Sequence, residues 1–88
     1  MVISSLVVDT MPEKTAAAAE ALPQLDPGVE VHEINGYKLV VTIEAESTDA
    51  SHRIASSFLQ VDGVINVNLI YFNFEDETLG EQGEDSGI

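Results

Sequence analysis

The chain has 88 residues, 44% of them hydrophobic, so it is long enough for one small domain and too apolar for a disordered protein. It contains 16 acidic and 3 basic residues, a net charge of −13, which disfavours nucleic acid and anionic membranes and favours a cationic partner. The absence of cysteine excludes disulfides, thiolate metal sites and thiol redox chemistry.

The first eight residues, "MVISSLVV", are apolar but lack a basic leader and a small-residue cleavage site. No apolar run approaches the length of a transmembrane helix. We therefore expect a soluble, cytoplasmic protein without an export signal and without membrane insertion.

The acidic residues are unevenly distributed. Six of them follow Phe74, in the stretch "EDETLGEQGEDSGI", which has no basic residue and few large apolar groups. This composition predicts one domain over residues 1–74 and an acidic disordered tail over residues 75–88.

The first predicted elements are a strand and a helix. Residues 2–9 are rich in Val and Ile, which favours a strand. Thr10 and Glu13 then have the spacing of a capping box, and the following run "AAAAEAL" predicts a helix over residues 11–22. Pro23 lacks an amide hydrogen, so the helix kinks or ends there.

A hairpin follows. The segments "VEVHEI" and "YKLVVTIEA" flank Asn35-Gly36, a strong signal for a tight turn between antiparallel strands. A two-residue turn would place Val29 and Val31 beside Val40, whereas a three-residue bulged turn would place them beside Val41 and Ile43. We favour the bulged turn, because it keeps the polar side chains of the second strand out of the core.

A second helix begins at Ser47 or Thr48, either of which can cap it, and ends at Asp62-Gly63. Its expected apolar stripe consists of Ala50, Ile54, Ala55, Phe58 and Leu59. The last strand, "VINVNLIYFNF", is expected to alternate, with Ile65, Val67, Leu69 and Tyr71 on one face and Asn66, Asn68, Ile70 and Phe72 on the other.

The order strand, helix, strand, strand, helix, strand predicts an α+β fold of the ferredoxin-like βαββαβ type. Right-handed crossovers then give a four-stranded antiparallel sheet with both helices on one face. The opposite face has no helix to cover it.

The third strand is apolar on both faces, since Leu39, Val41 and Ile43 alternate with Val40 and Thr42. The residues expected on the open face are Ser5, Val7, Val40, Thr42, Asn66, Asn68, Ile70 and Phe72. These residues are expected to form a mixed apolar and small-polar surface open to water, and an exposed patch of roughly several hundred Å² is unusual enough to indicate a binding site. The alternative is that these residues favour strands and are tolerated on a solvent-exposed face of the sheet without a binding role.

Catalytic and metal-binding patterns are weak. His32 and His52, the 2 histidines, adjoin no recognisable nucleophile, and each is expected on the solvated surface. Glu30, His32 and Glu33 are close in sequence, but alternation along a strand would send Glu33 to the other face. We predict neither an enzyme nor a metal or cofactor site.

Four segments together resemble the NapD family, the small cytoplasmic assembly chaperones of periplasmic nitrate reductase. They are "SSLVV", "PGVEVHE", "KLVVTIEAES" and "VDGVINVNLIY", and the likeness covers nearly all of residues 4–72. The resemblance implies binding of the twin-arginine signal peptide of the catalytic subunit, NapA. Export would be held back until the molybdenum cofactor, which belongs to that client, is inserted.

The resemblance and the open face together indicate a peptide site. Its expected floor consists of Ser5, Val7, Val40, Thr42, Asn66, Asn68 and Ile70, and its expected partners for the arginines are Glu30, Glu44 and Glu46. The peptide could lie on the face as a helix, which we favour, or add as a strand beside residues 29–34. We expect a monomer. The competing hypotheses are a dimeric, ACT-like small-molecule regulatory module and an unrecognised hydrolase.

Overall fold

Four strands and two α-helices follow the predicted order in the computed structural model, which describes residues 1–74, the last four as backbone only. They are β1 (Val2–Thr10), α1 (Thr15–Ala21), β2 (Val29–Asn35), β3 (Lys38–Ala45), α2 (Thr48–Ser57) and β4 (Val64–Phe74). Short 3-10 turns lie at Pro12–Lys14, Leu22–Gln24 and Phe58–Gln60, so the α-helix ends before Pro23. The predicted tail, residues 75–88, lies outside the described residues.

The strands form one sheet in the order β2-β3-β1-β4. Each pairing is antiparallel, with β1 and β3 in the centre. With the two helices connecting β1 to β2 and β3 to β4, this is the predicted ferredoxin-like α+β fold.

The core lies between the helices and one face of the sheet. Its fully or nearly fully buried apolar residues are Leu6, Val8, Ala18, Leu22, Val29, Leu39, Val41, Ile43, Ala45 and Phe58. Cross-strand pairs such as Leu6 with Val41 align the buried rows of β1 and β3. Each large buried side chain contributes about 1.5–3 kcal/mol relative to exposure.

A pair of buried hydroxyl groups joins α2 to β1. Ser4 and Ser51 are 1% and 2% exposed, and their Oγ atoms lie 2.6 Å apart. Because each hydroxyl satisfies the other, this polar contact can exist inside the apolar layer. It fixes α2 against the helix-bearing face of the sheet.

The predicted capping box is wrong. Residues Pro12–Lys14 form a 3-10 turn without a side-chain cap. Thr10 is 3% exposed within β1, and its Oγ1 lies 2.7 Å from Thr15 Oγ1 and donates to the Tyr37 carbonyl oxygen at 3.0 Å. The hydroxyl is therefore engaged in the core and does not reach the amide of Glu13.

The cap of α2 is as predicted, but its apolar stripe is shorter. Ser47 precedes the helix, and its Oγ accepts a hydrogen bond from the Ala50 amide at 3.1 Å. Phe58 is fully buried, whereas Leu59 is 53% exposed and lies outside the core. The turn after the helix uses Gly63 at φ +95°, a conformation that favours glycine.

The β2–β3 turn differs in detail from both predicted turns. Its two central residues are Gly36 and Tyr37, since Asn35 pairs with Lys38. Gly36 has φ +65° and Tyr37 does not have a positive φ. Glycine in the first central position is the pattern of a type II′ hairpin.

The predicted register nevertheless holds at the far end of the hairpin. Val29 pairs with Ile43 and Val31 with Val41, as the favoured alternative required. The extra residue lies within β2, at His32, and not in the turn. A bulge inside β2 thus produces the one-residue shift in pairing that we expected from an extra residue in the β2–β3 turn.

The predicted alternation in β4 is wrong near its start. Thr10 pairs with Val64 and Asp9 with Asn66, so Ile65 is an extra residue between them. Ile65 is 59% exposed, while Val64 packs against the core.

The alternation changes phase again near the end of β4. Ser5 pairs with Tyr71, and Ile70 is the extra residue of a second bulge. Phe72, which we expected at an open-face position, pairs with buried Ser4 instead. Two one-residue shifts cannot be inferred from a pattern that assumes strict alternation.

Candidate functional site

One face of the sheet is not covered by any helix of residues 1–74. On β1 and β3 the core residues alternate with a second set of partly exposed side chains, which are Ile3, Ser5, Val7, Val40 and Thr42. In the register Ser5 lies opposite Thr42 and Val7 opposite Val40, so these side chains share the face away from the core. We call this surface the open face.

The predicted floor residues lie along the open face or at its β4 edge. Asn68 and Asn66 are exposed and pair with Val7 and Asp9 respectively. Ile70, the residue in the second β4 bulge, is 61% exposed. The floor predicted from sequence is therefore brought together in space, while its role in binding stays a prediction.

The predicted acidic residues are spread around one side of the open face. Glu30, on the edge strand β2, pairs with Thr42, and Glu44 pairs with Ile3. Glu46 is exposed beyond the end of β3, just before the α2 cap, and is therefore outside the strand pairing.

A further carboxylate joins this side. The bulge at His32 places Glu33 opposite Val40, an open-face residue, so the expected alternation away from Glu30 is wrong. Glu33 is exposed. No signal in the sequence marks the bulge, which is why Glu33 was missed.

His32 belongs to the open face and His52 does not. The His32 Nε2 atom lies 2.7 Å from Thr42 Oγ1, within hydrogen-bond distance. His52 is exposed on α2, in the helical layer. Among residues 1–74 no group of three or more metal-ligating side chains is assembled.

Positive and negative charge cancel at the hairpin end of the open face. Lys38 Nζ lies 2.7 Å from Asp9 Oδ1, and Asn68 Nδ2 donates to Asp9 Oδ2 at 3.4 Å. Within the described part of the chain, no cation pairs with Glu30 or Glu33. The uncompensated negative charge therefore lies along β2 and the adjoining part of β3.

Both edge strands of the sheet are interrupted. β2 has its bulge at His32, and β4 has bulges at Ile65 and Ile70. Bulges and charged side chains at an edge impede the addition of another strand. The geometry thus favours contacts on the open face over pairing at its edges.

Comparison with known proteins places this fold in a family. A sequence model described as NapD protein matches residues 1–76 of the 88-residue chain. The chain belongs to the NapD family. The resemblance read from the sequence is thereby confirmed.

Two relatives of this NapD family member illustrate the match. The chaperone NapD of Paracoccus pantotrophus is 32% identical over 69 residues, which cover 78% of this chain and 61% of that protein's length. The solution structure of the E. coli Tat proofreading chaperone protein NapD aligns with a TM-score of 0.72 and 30% identity, over 96% of this chain and 87% of that one. Membership of a chaperone family favours the chaperone hypothesis over a regulatory module or a hydrolase.

This NapD family member also has an apolar groove on the helical side, between α2 and β4. Its volume is about 270 Å³, and its lining residues are Ser4, Leu6, Ser51, His52, Ala55, Ser56, Leu59, Val67 and Leu69. Leu69 is 51% exposed there. The residues predicted to form the peptide site do not line this groove.

No helix among residues 1–74 is both long enough and apolar enough to cross a membrane.

Proposed function

We propose that this chain binds the twin-arginine signal peptide of NapA, the catalytic subunit of periplasmic nitrate reductase. By holding the peptide, it restrains export of the client until the molybdenum cofactor has been inserted. The chain acts in the cytoplasm as a monomer and carries no cofactor of its own. The observation that carries the proposal is a sheet face that no helix of residues 1–74 covers, with an apolar centre and an acidic edge, in a member of the NapD family.

The centre of the open face suits the apolar stretch of a signal peptide. Val7 and Val40 form a cross-strand pair, with the small polar pair Ser5 and Thr42 next to it. Covering apolar surface here stabilises a complex by about 25 cal/mol per Å² removed from water.

The charge of the chain suits the arginines. A net charge of −13 attracts a cationic peptide at long range, and Glu30 and Glu44 lie beside the apolar centre. Because these carboxylates are exposed, their attraction is screened by salt, with a Debye length of about 10 Å at 0.1 M. Binding is therefore salt-sensitive.

A helix lying on the face is the bound form that the sheet favours. The outer strands of a four-stranded sheet are about 14 Å apart, so a helix of about ten residues spans the face from one edge to the other. A bound helix would cover Val7 and Val40 together, whereas a strand added to β2 would meet the His32 bulge.

The test measures the affinity of a labelled twin-arginine signal peptide by fluorescence anisotropy. Val40→Glu and Ile70→Glu put a carboxylate at the centre and at the rim of the face, and Leu59→Glu makes the same change at an exposed apolar residue of the helical side. Val40→Glu should weaken binding about tenfold or more, because it buries a charge in an apolar contact. Ile70→Glu should weaken it less, and Leu59→Glu should leave it unchanged.

Folding of each variant is checked by its circular dichroism spectrum and thermal midpoint. A folded Val40→Glu variant with the affinity of the parent protein would refute the site on the open face. Raising the salt concentration from about 0.05 to about 0.5 M shortens the Debye length about threefold. An affinity that stays the same over this range would refute the contribution of charge.

A further inference from the structure

We infer that the signal peptide binds the open face in one direction, with its arginine pair at the β2 edge, on Glu30 and Glu33, and its apolar stretch running toward β4. The inference rests on the proposed function. It adds a polarity to the bound peptide and assigns a role to Glu33, a residue that the sequence pattern alone sends to the other face.

The β2 edge offers two carboxylates at a spacing suited to two arginines. Because the bulge at His32 adds one residue, Glu30 and Glu33 pair with Thr42 and Val40, which are two positions apart on β3. Two positions along a strand span about 6.8 Å. Each guanidinium group can therefore bind its own carboxylate, with charge-assisted hydrogen bonds to its oxygens.

These two carboxylates are available to a ligand. Both residues are exposed, and no basic side chain among residues 1–74 pairs with either. His32, between them in the sequence, hydrogen-bonds through Nε2 to Thr42 at 2.7 Å, so its ring is held on the β3 hydroxyl.

Among residues 1–74, the opposite edge of the face carries less negative charge. The exposed side chains of β4 that pair with β1 there are the amides of Asn66 and Asn68. In the described part of the chain, the carboxylate near these amides is that of Asp9, which already has Lys38 at 2.7 Å. Across the sheet, negative charge thus falls from β2 to β4 within the described residues.

The apolar centre lies between the two edges, so both parts of the peptide can bind at once. Because the strands lie in the order β2-β3-β1-β4, a peptide that runs from the β2 edge to the β4 edge passes over Val40 on β3 and then over Val7 on β1. Three strand spacings amount to about 14 Å, which is the length of about ten helical residues. A signal peptide with arginines at one end and an apolar stretch next to them matches this path in one direction only.

The test compares charge changes at the two edges. Peptide affinity is measured for Glu33→Gln and Glu30→Gln, and Glu20→Gln, at an exposed position on α1, is the control for net charge. Each open-face variant should weaken the arginine peptide about two- to fivefold, as expected for an exposed ion pair. The loss should disappear with a peptide in which both arginines are glutamine, and Glu20→Gln should have no effect.

The other edge is tested by Asn68→Lys, measured with the arginine peptide and with the peptide in which both arginines are glutamine, and Gln60→Lys is the control for an added exposed lysine. If the arginines lie at β2, Asn68→Lys meets only the apolar stretch and should weaken binding of both peptides by the same factor. A larger loss for the arginine peptide than for the glutamine peptide, or equal losses for Glu33→Gln and Glu20→Gln, would overturn the inference while the proposed function stood. Failure of the unaltered protein to bind the peptide would remove the proposed function itself.

Discussion

The buried hydroxyl pair gives a stability prediction that can be worked from the structure. In Ser51→Ala the Ser4 hydroxyl, 1% exposed, loses its partner at 2.6 Å. An unsatisfied buried hydroxyl costs about 1–3 kcal/mol, and the groove next to this pair admits water, so we expect about 1–2 kcal/mol. For a domain of this size, 1 kcal/mol lowers the thermal midpoint by about 4–8 °C.

The double variant makes the prediction specific. The double variant, Ser4→Ala with Ser51→Ala, removes both polar groups, so neither is left without a partner. Its loss in free energy of unfolding should be smaller than the sum of the two single losses, and the difference should be about 1 kcal/mol or more. Urea unfolding followed by circular dichroism measures all four proteins. Peptide affinity serves as the control, because the pair faces the helical layer. Strictly additive losses would show that the two hydroxyl groups do not depend on each other.

Three further predictions concern stability. Gly28→Ala should lower the free energy of unfolding by about 1 kcal/mol or more, since an added Cβ would overlap the Glu44 carbonyl oxygen; an unchanged urea midpoint would disprove this close approach. Val41→Glu, at a fully buried position, should abolish cooperative unfolding because an unpaired buried carboxylate costs several kcal/mol, whereas Val40→Glu should stay folded. If both variants unfold, the two faces are not distinct. Lys14→Met removes the exposed ion pair between Lys14 and Asp62, at 2.6 Å, and should change the free energy of unfolding by less than about 1 kcal/mol. A larger loss in the same assay would show that this ion pair contributes substantially to stability.

The element order and the open face could be predicted because they depend on local signals. The apolar alternation of β3, with Leu39 and Val41 on one face and Val40 on the other, requires no knowledge of distant contacts. Ser47 likewise caps α2 through a hydrogen bond within its own first turn. These features determine which side of the sheet is covered and which is exposed.

The bulges could not be predicted, and they decide the details of the candidate site. Each arises from pairing with a neighbouring strand, so neither His32 nor Ile70 carries a signal in its own segment. The shift at His32 brings Glu33 onto the open face, and the shift at Ile70 moves Phe72 opposite Ser4. Thr10 was misread for a similar reason, because its hydroxyl bonds to the distant Tyr37 carbonyl.

The most direct test of the open face as the binding site is a titration of ¹⁵N-labelled protein with the twin-arginine peptide, followed by backbone amide chemical shifts. If the peptide binds the open face, the largest shifts lie on β1 and β3 at Val7, Val40 and Thr42 and extend to Glu33 on β2, while α1 and α2 change little. Shifts concentrated along the groove at Ser56 and Leu59, with the open face unchanged, would contradict it.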